Sequence, residues 1–134
     1  MSHKTLIKCE IGIHDENYLE AAIKEFGANI EIVRNARPVG WGGDKNMDIC
    51  EYVIKIPGTK YSLGLKKNPL TGTFDLIYDE FSGEIEAVFG KGCYKLVNNV
   101  KALSAARELG MSGFTIIENE TLTNGHRRMV AVMY

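Results

Sequence analysis

No apolar run in this 134-residue sequence approaches the length needed to cross a membrane. The opening stretch "MSHKTLIKCEIGIH" has no apolar signal core, and no lipidation pattern is present. These absences argue against secreted, membrane-spanning and lipid-anchored classes, so the expectation is a cytoplasmic protein without a membrane partner. Neither sign of charge dominates. With 16 Lys and Arg against 17 Asp and Glu, the formal net charge is -1, which leaves no global basic field to draw nucleic acid or anionic lipid. Cysteine is scarce as well: Cys9, Cys50 and Cys93 are odd in number, widely spaced and without a CxxC pair. That pattern argues against both a disulfide framework and a zinc site and predicts free thiols.

Catalytic signatures are missing too. The chain has no GxSxG, no HExxH, and no lysine-serine or lysine-threonine pair in its glycine-rich "GWGGDKN", so neither a nucleophile elbow, a zinc protease nor a phosphate loop is indicated. His3, His14 and His126 are dispersed and read as surface or capping residues. Motif absence weighs toward a non-enzymatic protein, and no cofactor or metal is expected.

What is present is the composition of an ordinary globular protein, 45% hydrophobic and 25% charged. A chain of this length can bury a real core, and no repeat, low-complexity stretch or linker divides it, so residues 1–134 read as one domain. Alternating Ile7, Cys9, Ile11 and Ile13 predict a first strand. Asp15 is placed to cap a helix carrying Tyr18, Leu19, Ala22, Ile23 and Phe26 at helical spacing, with Gly27 as its stop. "NIEIVRN" predicts a second strand, and "DICEYVIKIP" a third with Cys50, Tyr52, Ile54 and Ile56 on one face. Turns at Pro57-Gly58 and "NPLTG" predict that "YSLGLKK" and "TFDLIYDEF" continue an antiparallel meander.

"EIEAVFG" reads as a short helical turn, and "CYKLVNNVKALSAARELG" as the longest helix, with a stripe of Cys93, Leu96, Val97, Val100 and Leu103. Asn124-Gly125 between two strand-like runs predicts a terminal hairpin. If those two residues are the turn centre, Ile117 faces Val132 and both hairpin faces carry apolar groups. The long helix and a second copy of the chain are candidate covers, and a bulge that reassigns the faces explains the pattern equally well. The expected architecture is α+β: a mainly antiparallel sheet of about six to seven strands with two helices on one face, in the order β-α-β-β-β-β-α-β-β.

Three segments carry candidate chemistry. "RNARPVGWGGDKN", residues 34–46, joins two strands by about a dozen residues, longer than most such connections. Its Trp41, flanked by glycines, is a candidate anchor for a flat ligand or a partner's pocket, with Arg34, Asn35, Arg37 and Lys45 close in sequence. A lid role for the indole, with the glycines serving only the turn, stands beside that reading. His126-Arg127-Arg128 can grip a phosphate or carboxylate, although Glu118 and Glu120 on the facing strand offer cross-strand pairing, which is the favoured reading. The acidic cluster Asp79, Glu80, Glu84 and Glu86 can serve general acid/base work or a hard metal, yet carboxylates at a helix start are commonly solvated.

The start "MSHKTLIKCEI", the segment "LEAAIKEFG", the loop "VRNARPVGWGG" and the tail "GFTIIENETLTNGHRRMVAVMY" resemble a family of small proteins encoded in red-algal plastids, cyanobacteria, other bacteria and phages. That family is known as a hypothetical chloroplast open reading frame and carries a domain of unknown function. The matching positions are Met1-Ser2-His3, Arg34, Asn35, Gly40, Trp41, Asn124, Gly125, Arg128 and Tyr134, while the middle, residues 47–91, departs from the family's wording. The resemblance implies a single-domain fold and no catalytic role for any of these residues.

Together these readings lead to a non-enzymatic binding protein. Its expected contact set is Arg34, Asn35, Arg37, Trp41, Lys45, Arg127 and Arg128, directed at a protein partner or at a second copy in a homo-oligomer. The alternative is a binder of a phosphate-containing small molecule, such as a phage protein that sequesters a host signalling nucleotide, with Trp41 stacked on the base.

Overall fold

The computed structural model describes residues 4–40, 43, 47–79, 83–111, 114–121 and 127–133. Strand β1 (Lys4–Gly12) leads through a 3-10 segment (Ile13–Tyr18) into α1 (Leu19–Lys24). Four strands follow, β2 (Glu31–Ala36), β3 (Cys50–Lys55), β4 (Ser62–Asn68) and β5 (Thr73–Asp79). Then come α2 (Glu84–Phe89), a 3-10 turn (Lys91–Cys93), α3 (Tyr94–Met111) and the hairpin β6 (Phe114–Thr121) and β7 (Arg127–Met133). The class is α+β, as the sequence predicts.

The main sheet has five strands in the order β1-β5-β4-β3-β2, all antiparallel. Strands β2 to β5 form a meander, and β1 joins its far side. Gly58 at φ 84 accepts the left-handed step after Pro57, and the Thr59 N–H donates to the Ile56 carbonyl at 3.3 Å, which closes the first tight turn. The sheet is smaller than the expected six to seven strands because β6 and β7 pair only with each other and lie against α3. Helix α3 runs close to both strands of the hairpin.

One face of the sheet carries the main core. Tyr52, Ile54, Leu63, Leu65, Phe74, Leu76 and Tyr78 are buried against Leu19, Ala22 and Ile23 of α1, Ile85 and Phe89 of α2, and Leu96 and Val100 of α3. All three helices therefore sit on that face. Each buried Leu, Ile, Val or Phe among them taken out of water stabilises the fold by roughly 1.5–3 kcal/mol. The opposite face holds a smaller cluster of Met47, Cys50, Val53 and Ile77, with Val33 and Ala36 against it.

Three expectations are corrected. Cys50 does not share the Tyr52 and Ile54 face; it lies in the opposite cluster. Its pairing partner Ala36 follows Asn35, whose left-handed φ of 53° interrupts the two-residue alternation of β2. Asp15 is not a helix cap: it is buried inside the 3-10 segment, where its Oδ1 accepts a 2.8 Å hydrogen bond from Ser104 Oγ of α3. In the terminal hairpin Thr115, not Ile117, faces Val132: Thr121 pairs with Arg127, one position from the register that a two-residue Asn124-Gly125 turn sets, and the register shifts once more between Ile116 and Glu118. A bulge does reassign the faces; the Asn124-Gly125 turn itself lies outside the described residues.

Candidate functional site

The cleft that stands out lies at the β2 edge of the main sheet, between the 3-10 segment with α1 and strands β2 and β3. Its volume is about 360 Å³, and Glu16, Asn17, Leu19, Glu20, Ile23, Ile32, Arg34 and Tyr52 line it. Leu19 and Ile23 stand one helical turn apart and turn into the core, which leaves Glu16 and Glu20 along the rim. Ile32 and Arg34, two residues apart on β2, share the cleft side. Arg34 is registered opposite Tyr52 across the antiparallel pair, and its guanidinium stands 5.1 Å from the centroid of the Tyr52 ring. That geometry is a cation–π contact at a strand edge.

Beneath Arg34 the Tyr52 hydroxyl donates to Glu16 Oε1, and Lys67 Nζ of β4 lies 2.8 Å from Glu16 Oε2. The Lys67 bond first and the Tyr52 bond second hold the Glu16 carboxyl below its usual range. Burial first and the bond to Glu16 second push the Tyr52 hydroxyl up to about 12. At neutral pH Glu16 is ionised and Tyr52 is protonated, and both are driven further from neutrality. A general acid or base works best with a pKa near the operating pH, so this pair suits positioning and binding rather than proton transfer. A second, shallower hollow of about 310 Å³ lies by Phe26, Val88 and Lys95; there the Asn99 amide donates to Glu25 Oε2 at 3.0 Å.

Of the predicted site residues, Arg34 and Arg37 are placed for different roles. Arg34 lines the cleft. Asn35 is exposed and serves the backbone, through its left-handed φ. Arg37 Nη1 donates to the Met47 carbonyl and so ties together the two ends of the long connection. Between them Pro38 and Gly40 lie on the sheet. A Cβ on Gly64 would stand 3.0 Å from Pro38 Cγ and 2.6 Å from Cys50 Sγ, and one on Gly40 would stand 3.0 Å from Asp79 Cβ. The Val39 N–H donates to Ser62 Oγ at 2.7 Å, and the Val39 carbonyl accepts from the Ser62 N–H at 3.0 Å. Gly40 and Gly43 exchange two 3.1 Å backbone hydrogen bonds. Much of the connection is therefore a strap across the second face of the sheet. Trp41 and Lys45 lie outside the described residues.

Arg127 and Arg128 stand on β7, and Arg128 is registered opposite Glu120, the cross-strand arrangement expected for a structural pair. The acidic cluster is neither solvated as a whole nor gathered. Asp79 is buried beneath Gly40, whereas Glu86 accepts hydrogen bonds from the Tyr78 hydroxyl at 3.1 Å and the Gly92 N–H at 2.6 Å. Adjacent Asp79 and Tyr78 point to opposite faces of β5, so the two carboxylates are separated by the sheet. Glu84 accepts from the Thr59 hydroxyl, and Glu80 lies outside the described residues. His14 is exposed beside Asp15, with Nε2 3.4 Å from its Oδ2; His3 and His126 lie outside the described residues.

Among the described residues no group of three or more His, Cys, Asp or Glu is placed to hold a metal ion, and no helix is long and apolar enough to cross a membrane. Cys50 and Cys93 are free thiols, as expected. Glu16, Glu20, Tyr52 and Lys67 are functional candidates that sequence reasoning missed. Glu16 and Glu20 carry a faint signal as helix-spaced acids, but only the strand order brings Lys67 to Glu16. No family model, curated protein or solved structure matches the chain.

Proposed function

We propose that this chain is a non-enzymatic binding protein that takes a small ligand in the Arg34–Tyr52 cleft. One observation carries the reading: a cation, Arg34, stands over Tyr52 in a concave site of about 360 Å³ with a partly apolar floor. Small-ligand sites are concave and furnished with a few converging polar groups that fix orientation, and the accessible lining of this one is mainly polar. The protonation states of Glu16 and Tyr52 support binding over acid–base catalysis. A contact surface built on residues 34–46 has less support, because Arg37 is engaged by Met47 and Pro38 and Gly40 are seated on the sheet. A nucleotide gripped by several arginines has less support still, since Arg34 lines the cleft whereas Arg37 is held by the Met47 carbonyl. Membership of the plastid open-reading-frame family belongs to the same proposal, and that family's lack of assigned catalytic residues agrees with it.

The test is the amide NMR spectrum of the full chain titrated with the small-molecule fraction of a cell extract, alongside native mass spectrometry. The expected result is shifts confined to residues 16–23, 32–34 and 52, with affinity at least about tenfold weaker in a folded Arg34→Ala variant, the loss of one charge-assisted contact. Binding of equal strength in that variant, or shifts elsewhere only, refutes the site.

A further inference from the structure

The ligand class can be read from how the charges of the cleft are satisfied, an inference that rests on the binding reading above. Glu16 is already met by Lys67 and Tyr52. Among the described residues, exposed Arg34 and exposed Glu20 have no hydrogen-bond or ion-pair partner, and they do not pair with each other although both line the cleft. A single cleft thus presents a cation and an anion that each lack an ion-pair partner, Arg34 over the Tyr52 ring and Glu20 on the rim, with half-buried Ile32 beside them.

From this arrangement we infer that the cleft takes a small zwitterion with an apolar body, of the chemistry of a free apolar amino acid. Its carboxylate meets the Arg34 guanidinium, whose planar fork suits two parallel hydrogen bonds to a carboxylate. Its ammonium meets Glu20, and its hydrocarbon part covers the accessible side of Ile32. The charges of Glu16, Glu20, Arg34 and Lys67 cancel, so the site has no surplus positive field for a phosphate dianion, which would also stand against two carboxylates. Electrostatic complementarity of this kind selects among ligands more than it adds affinity.

The experiment titrates the full chain, observed by amide NMR, with leucine, methionine and phenylalanine. Each is paired with an analogue lacking the ammonium and one lacking the carboxylate (for leucine, 4-methylpentanoate and 3-methylbutylamine), and inorganic phosphate and AMP are added as anionic probes. The zwitterions are expected to bind at least about tenfold more tightly than either singly charged analogue. Arg34→Gln should erase the preference for leucine over its amine, and Glu20→Gln the preference for leucine over its carboxylate. Equal affinity for a zwitterion and its carboxylate or amine analogue overturns the inference, as does tighter binding of phosphate or AMP. If the cleft amides respond to other compounds and to none of the amino acids, the ligand class falls while the binding site stands. If no compound and no extract fraction moves them, the site falls too.

Discussion

Tyr52→Phe removes one hydroxyl from the cleft and leaves its ring, so the platform beneath Arg34 and the shape of the site persist while the bond to Glu16 is lost. Raising a phenol from 10.0 to about 12 separates its two protonation states by roughly 3 kcal/mol. Burial is the largest cause and the Glu16 bond the second, so the bond's share is on the order of 1 kcal/mol. Partial exposure of Glu16 keeps it from being larger. The variant should therefore lose about 1 kcal/mol at pH 7, seen as a fall in melting temperature of roughly 4 °C. The pH dependence has a definite sign. Glu16, with its carboxyl lowered in the fold, contributes stability above the ordinary glutamate range that disappears as pH falls through its folded value. The deficit of the variant should shrink on that acid limb. Tyr52, raised in the fold, contributes stability that is complete below pH 10 and fades as pH rises toward about 12. The wild type should accordingly lose its lead over the Phe variant across that alkaline window. Chemical denaturation from pH 3 to 11, with Glu16→Gln and the double variant completing a cycle, measures this. A deficit that stays constant with pH, or a coupling energy near zero between the two sites, refutes the reasoning.

Gly64→Ala should cost about 1–3 kcal/mol, because its Cβ would stand 2.6 Å from Cys50 Sγ and 3.0 Å from Pro38 Cγ; combining it with Cys50→Ala should return part of that loss in a denaturant melt. Arg37→Ala should cost about 1 kcal/mol and speed amide exchange between residues 37 and 50, without weakening ligand capture at the cleft; slower capture with unchanged exchange would make Arg37 a contact residue after all. Ser104→Ala should destabilise by about 1–2 kcal/mol, since it strips a hydrogen bond from the buried Asp15 carboxylate, and a neutral result would show that solvent replaces the hydroxyl.

Most of the fold is legible in the sequence because its signals are local. Period-two runs mark the strands, Pro57-Gly58 marks a turn, and the Cys93, Leu96 and Val100 stripe marks the long helix; each is decided by residues within a few positions of one another. The hairpin register is not legible, because neither the shift between Ile116 and Glu118 nor the pairing of Thr121 with Arg127 follows from period-two patterning. The cleft was not legible either. Arg34 drew attention as part of a glycine-rich loop, yet its neighbours in space are Tyr52, reached across the strand pair, and the Glu16 rim, which the helix lays over the sheet edge. Lys67 reaches Glu16 only because β4 sits third from that edge, behind β2 and β3. Such contacts follow from strand order, which periodicity does not encode.

Asn35 links these two halves of the site and explains why the sequence misdirects the reader there. Up to Arg34 the strand obeys strict alternation, so Ile32 and Arg34 face the cleft and Val33 faces the second cluster. The left-handed step at Asn35 then turns Ala36 toward the second cluster, and Arg37, Pro38 and Gly40 follow it onto the far face. A run of polar and glycine residues that looks like one loop is therefore divided between two faces of the sheet. Its first arginine serves recognition, and its second holds the strap. A residue of Ile or Val at position 35 would resist the left-handed φ and favour continued alternation, which would carry Arg37 away from the Met47 carbonyl. The cleft keeps its cation at the edge because the chain leaves that face immediately afterwards, so that the next residues do not cover it.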